Sequence, residues 1–145
     1  MTTHYLNTDL VIDSEDDLTP IVEELGEDVV CLYNGPWGTR QLAAFEIVGH
    51  DMDASSCIRA FCGLVEALSP KAREVWDRCS RRSFDIGFEA GLDRESCERA
   101  IDLDALEMAV SVRARLVVTV YPPSAIHPET EVGPSSSLPV SRGPR

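Results

Sequence analysis

With 145 residues, 43% of them apolar and 26% charged, the chain is long enough for one hydrophobic core and too apolar to stay unfolded over most of its length. A net charge of −12 argues against nucleic acid and anionic membrane as partners, since Lys and Arg hold both, and leaves room for a basic protein. No apolar run approaches the roughly 20 residues that span a bilayer, and Met1-Thr2-Thr3-His4 lacks the basic and apolar segments of a signal peptide, so a cytoplasmic protein is expected.

Tyr5 to Ile12 alternates with the period of a half-buried strand, Leu6, Thr8, Leu10 and Ile12 falling on one side. Ser14-Glu15-Asp16-Asp17 supplies capping groups and negative charge for a helix N-terminus, and Leu18, Ile21, Val22 and Leu25 follow at helical spacing, with Gly26 placed to close the helix. Val29 to Tyr33 and Gln41 to Val48 read as an antiparallel hairpin around a turn at Asn34-Gly35-Pro36-Trp37-Gly38. Trp37 at that tip either folds back over the sheet or serves as an exposed contact residue, and its large apolar ring favours folding back.

Ser55 or Ser56 is expected to cap a helix whose stripe is Ile58, Phe61, Cys62, Val65 and Leu68, and Ser69-Pro70 restarts it with Ala72, Val75, Trp76 and Cys79 inward. Phe84, Ile86 and Phe88 alternate with Asp85, Gly87 and Glu89 as a strand with one polar face. After a polar loop, Asp102 is expected to cap a helix with Leu103, Leu106 and Val110 as its buried stripe. The last strand, Leu116 to Tyr121, is apolar on both faces, which predicts a central or doubly covered strand with Leu116, Val118 and Val120 toward the helices. Pro122 and Pro123 end its pairing.

The order β-α-β-β-α-β-α-β predicts an α+β two-layer sandwich: a ferredoxin-like β-α-β-β-α-β core extended by α-β, with a mostly antiparallel sheet and helices on one face. Residues 1–123 form the single domain, and 124–145 read as a disordered Pro/Ser-rich tail, because six of the nine prolines fall from Pro122 onward and aromatics are absent there.

Several of these landmarks together resemble small uncharacterised bacterial α+β proteins of unknown function. They are Asp17-Leu18-Thr19-Pro20 after the opening strand, the hairpin around Gly35 and Trp37, Trp76-Asp77-Arg78-Cys79, Phe84-Asp85-Ile86-Gly87-Phe88, and the close Leu116 to Pro123. The resemblance implies a structural plan and carries no catalytic or binding residues with it.

Chemistry-bearing clusters are few. His50, Asp53 and Cys57, with Asp51, put a base, carboxylates and a thiol near a helix N-terminus, which stabilises a thiolate, while the carboxylates oppose it. They are the candidate ligand-binding residues, but no oriented base accompanies the thiol, so no catalytic residue is assigned. Asp13, Glu15 and Asp17 begin a calcium-loop spacing that apolar Leu18 breaks, and the five cysteines contain no Cys-x-x-Cys pair, so neither a metal nor another cofactor is expected. Lys71, Arg73, Arg78, Arg81 and Arg82 lack a neighbouring Gly-rich phosphate loop and are expected to pair with the chain's own carboxylates.

The reading that follows is an acidic protein-binding module, of the immunity type that the resemblance makes plausible, meeting a basic protein or a second copy of itself. The candidate partner-contact residues are Trp37, Val117, Thr119 and Tyr121. The alternative is a small-molecule binder or enzyme with its site near His50, Asp53 and Cys57.

Overall fold

The computed structural model describes residues 1–49 and 52–124. His50, Asp51 and the residues after Ser124 therefore lie outside the described part, and with them the expectation of a tail. The described chain is an α+β domain with a five-stranded mixed sheet and four helices: β1 (His4–Ser14), α1 (Thr19–Leu25), β2 (Val29–Trp37), β3 (Arg40–Ile47), α2 (Ala54–Glu66), α3 (Pro70–Asp77), β4 (Arg81–Glu89), α4 (Leu103–Ser111) and β5 (Arg115–Tyr121). A single 3₁₀ turn, Gly26–Asp28, links α1 to β2.

The strands lie in the order β2-β3-β1-β4-β5; the first three pairings are antiparallel and β4 runs parallel to β5. β2 runs further than the sequence implies, through Trp37, so the hairpin closes on Gly38-Thr39 alone. Gly38 takes φ 66° there and Thr39 does not take positive φ, the combination that a type II′ turn uses to match strand twist. In β1 a bulge between Tyr5 and Asn7 swings Tyr5 to the side of Thr8, Leu10 and Ile12, where its ring meets Phe88 edge-on at 5.8 Å, and leaves Leu6 exposed.

Local chemistry sets the helix starts. Asp53 caps α2 by accepting from the Ser56 N–H at 2.8 Å, displacing Ser55 and Ser56 from the role expected of them. Ser69 caps α3, accepting from the Ala72 N–H at 3.2 Å with Pro70 in the first turn, as its sequence predicts. Asp102 precedes α4 without a side-chain cap and instead shares Arg59 with Asp104, each at 3.2 Å.

One main core joins Leu10, Ile12, Phe45, Phe84 and Ile86 of the sheet to buried residues of all four helices, with Phe61 stacked on Phe84 at 5.7 Å. Trp76 is fully buried within it, its Nε1–H donating to the Val112 carbonyl at 3.0 Å. A smaller cluster, Val11, Leu42 and Ala44 beneath Leu32, Tyr33 and Trp37, forms on the opposite face of the sheet and takes no residue from the helices. Trp37 thus folds back over the sheet, its ring edge-on to Tyr33.

Two expectations are overturned at the C-terminal end. α4 buries Ala105 and Ala109, with Val112 just beyond it, and turns Leu103 and Val110 outward at 78% and 73% exposure. Small residues on its inner face let α4 approach α2 closely, and the larger aliphatics have no room there. β5 is not central but the last strand of the order, with Val118 and Val120 61% and 59% exposed; of its expected inward set only Leu116 packs against the core.

Candidate functional site

Of the expected cluster at the start of α2, the described members are Asp53 and Cys57. The Asp53 carboxylate is spent on the cap, and accepting the Ser56 N–H holds its carboxyl below the ordinary value. Cys57 is buried one turn later, its Sγ 4.0 Å from the Tyr5 hydroxyl, which in turn lies 2.7 Å from the Thr8 Oγ1. Burial pushes the Cys57 thiol up, and the carboxylates of Asp53, Asp9 and Glu46 push it further, against the opposing hydrogen bond from Tyr5. Cys57 therefore stays a neutral thiol near pH 7, and burial raises the Tyr5 hydroxyl as well. The cavity beside them, lined by Tyr5, Asn7, Glu46, Met52 and Cys57 among others, encloses about 190 Å³, below the roughly 300 Å³ at which small-molecule pockets begin.

The opposite face of the sheet brings together what the sequence scatters. Asp9 of β1 stands between Glu46 of β3 and Asp85 of β4, its direct cross-strand partners, so three carboxylates from three strands form one lateral row. Adjacent members of such a row have Cβ atoms roughly 5 Å apart. Asp9 is fully buried and Asp85 nearly so, which requires hydrogen-bonding partners. The Asn7 side-chain amide donates to both Asp9 Oδ1 and Glu46 Oε2 at 3.1 Å, and the Thr119 hydroxyl donates to Asp85 Oδ1 at 2.9 Å.

Three of the four candidate contact residues line the end of this row. Val117 is the register partner of Asp85, Thr119 that of Gly87 and Tyr121 that of Glu89. The Tyr121 ring lies close over Gly87, where a Cβ would meet the ring at 3.5 Å. The fourth, Trp37, sits at the far side of the same face in the aromatic cluster. Ser83, fully buried on this face, accepts from the Arg81 and Arg115 guanidinium groups at 3.3 and 3.0 Å. Cationic and aromatic groups thus flank the carboxylate row on two sides.

The carboxylate row is not legible in the sequence. Asp9 and Asp85 each show in the sequence as polar members of an alternating strand, but their adjacency depends on β1 lying between β3 and β4. Of the basic cluster, Arg78 pairs with Asp16 at 2.9 Å and Arg73 with Asp77 at 3.3 Å. Arg82 donates to the carbonyls of Trp76, Asp77, Cys79 and Arg113, tying the end of α3 and the start of β5 to β4.

Among the described residues no grouping of three or more His, Cys, Asp or Glu side chains is arranged to hold a metal ion, and no helix is long and apolar enough to cross a membrane. Comparison with protein-family models, with curated proteins and with solved structures returned no match.

Proposed function

We propose that this chain is a protein-binding module that meets a basic partner through the sheet face bearing Glu46, Asp9 and Asp85. The observation that carries this reading is the row itself: Glu46, its accessible member, stands beside the buried Asp9 and Asp85 on a face whose apolar cluster takes nothing from the helices, in a chain of net charge −12. Such a surface concentrates negative potential and steers cationic groups to it. Trp37, Val117, Thr119 and Tyr121 supply the apolar and aromatic contact that gives a charged interface its affinity. An immunity-type role in the cytoplasm of a bacterium fits this reading, with the partner a cationic protein.

The same proposal takes β1 through β4, with α2 and α3 together filling the second helical position, as a ferredoxin-like unit, with helices layered on the main-core face and α4 and β5 as an extension. The order β2-β3-β1-β4 with antiparallel neighbours supports it. A ligand site at Asp53 and Cys57 is the weaker alternative, since the thiol is neutral and the adjoining cavity small.

The test is affinity capture from native extract on the immobilised chain, alongside Glu46→Lys and an unrelated acidic protein of matched charge. A basic protein enriched over the matched control and lost at least tenfold with E46K, the half-exposed end of the row, is the expected result. Equal capture by the chain and its E46K variant would sink the reading.

A further inference from the structure

The two edges of the sheet are built differently. β2 is interrupted by a bulge between Cys31 and Tyr33 and carries Pro36, which has no N–H to offer, so that edge resists pairing with another strand. β5 has no bulge and, from Leu116 to Tyr121, neither a charge nor a proline. It is an unguarded edge, and it exposes Val118 and Val120 beside it.

The hydrogen bonding of β5 states which of its groups are available. The Ala90 N–H donates to the Tyr121 carbonyl at 2.8 Å, so Tyr121 addresses β4. Along a strand the backbone groups alternate sides with the pleat, and in a parallel ladder a residue's N–H and C=O point the same way. Arg115, Val117, Thr119 and Tyr121 therefore face β4, and Leu116, Val118 and Val120 turn both backbone groups outward.

We propose that β5 pairs antiparallel with β5 of a second copy of this chain, about a two-fold axis at Val118. That register matches Val118 with Val118, and Leu116 with Val120 of the second copy, so every outward group finds a partner; any other symmetric register leaves some of them unpaired. The same register sets Arg115 opposite Tyr121 of the second copy, whose neighbour on β4 is Glu89. The basic start of each strand thereby meets the aromatic and acidic end of the other, a local charge complementarity that offsets the like net charges of the two copies.

An axis perpendicular to the sheet keeps the main-core faces of both copies on one side. Val118 and Val120, which share that side with Phe84, Ile86 and Phe88 by register, then meet their counterparts. The outward stripe of α4, with Leu103, Leu106 and Val110 around a shallow depression, ends only residues 112–114 before β5. The carboxylate faces of the two copies join into one continuous surface on the other side.

Sedimentation equilibrium of the full chain at about 0.15 M ionic strength, from roughly 1 µM to 1 mM protein, tests this. A monomer–dimer equilibrium is expected. Val118→Pro, which removes only an outward donor, and Val118→Lys should each raise the dimer dissociation constant at least tenfold with the far-ultraviolet dichroism of the wild type. Val30→Lys, on the guarded edge, should leave it unchanged. A monomer across the whole range overturns the proposal, as does a dimer undiminished by V118K. Because the Val118 side chain is already exposed, V118K decides the matter even where V118P fails to fold.

Discussion

Asp53 illustrates how a residue type that attracts functional interest is absorbed by the backbone. Four N–H groups at a helix start lack partners, and a carboxylate one residue before the helix answers one of them. The accepted Ser56 N–H depresses the Asp53 carboxyl, the bonds from Ser69 depress Glu24, and the bonds from Thr19 depress Asp17. A depressed folded-state value contributes stability that is present above the unfolded value and lost as the pH falls through the folded one. The protein should therefore lose stability progressively below about pH 4. Asp53→Asn keeps a capping oxygen without the charge, so its urea-unfolding free energy should fall less steeply with acid than that of the wild type. Asp53→Ala should cost about 1 kcal/mol at neutral pH.

At the scale of an element, α4 shows that amphipathic spacing does not say which stripe faces inward when both stripes are apolar. Leu103, Leu106 and Val110 form one, and Ala105, Ala109 and Val112 the other. The structure buries the second because α2 lies too near for larger side chains. Ala109→Leu should overpack that contact and cost about 1–3 kcal/mol. Val110→Lys should change stability by less than about 0.5 kcal/mol when unfolding is measured in dilute solution. The reverse ranking would mean that Leu103, Leu106 and Val110, not Ala105 and Ala109, form the buried stripe.

For the molecule as a whole, the excess of carboxylates outweighs its ion pairs. Arg40 with Asp13, Arg59 with Asp102 and Asp104, and Arg78 with Asp16 are all partly exposed and individually weak. Repulsion among the excess negative charges of a chain of net charge −12 opposes the compact state. Raising ionic strength from about 0.01 to about 0.15 M shortens the Debye length from roughly 30 to 8 Å and should raise the melting temperature. A fall would mean that the ion pairs dominate.

The sequence by itself determined the kinds and order of the elements, because hydrophobic period, proline and capping residues act over a few residues. Phe84-Asp85-Ile86-Gly87-Phe88 could be read as a half-polar strand, and Ser69-Pro70 as a helix restart, with no knowledge of their neighbours. Only the tertiary structure decided which strands are adjacent and which apolar stripe is covered, since both depend on residues far apart in the chain. Asp9 and Asp85 become a row with Glu46 only through strand order. Leu116 to Tyr121, apolar enough for a central strand, became an edge because, among the described residues, β4 alone pairs with it and α4 leaves Val118 and Val120 uncovered.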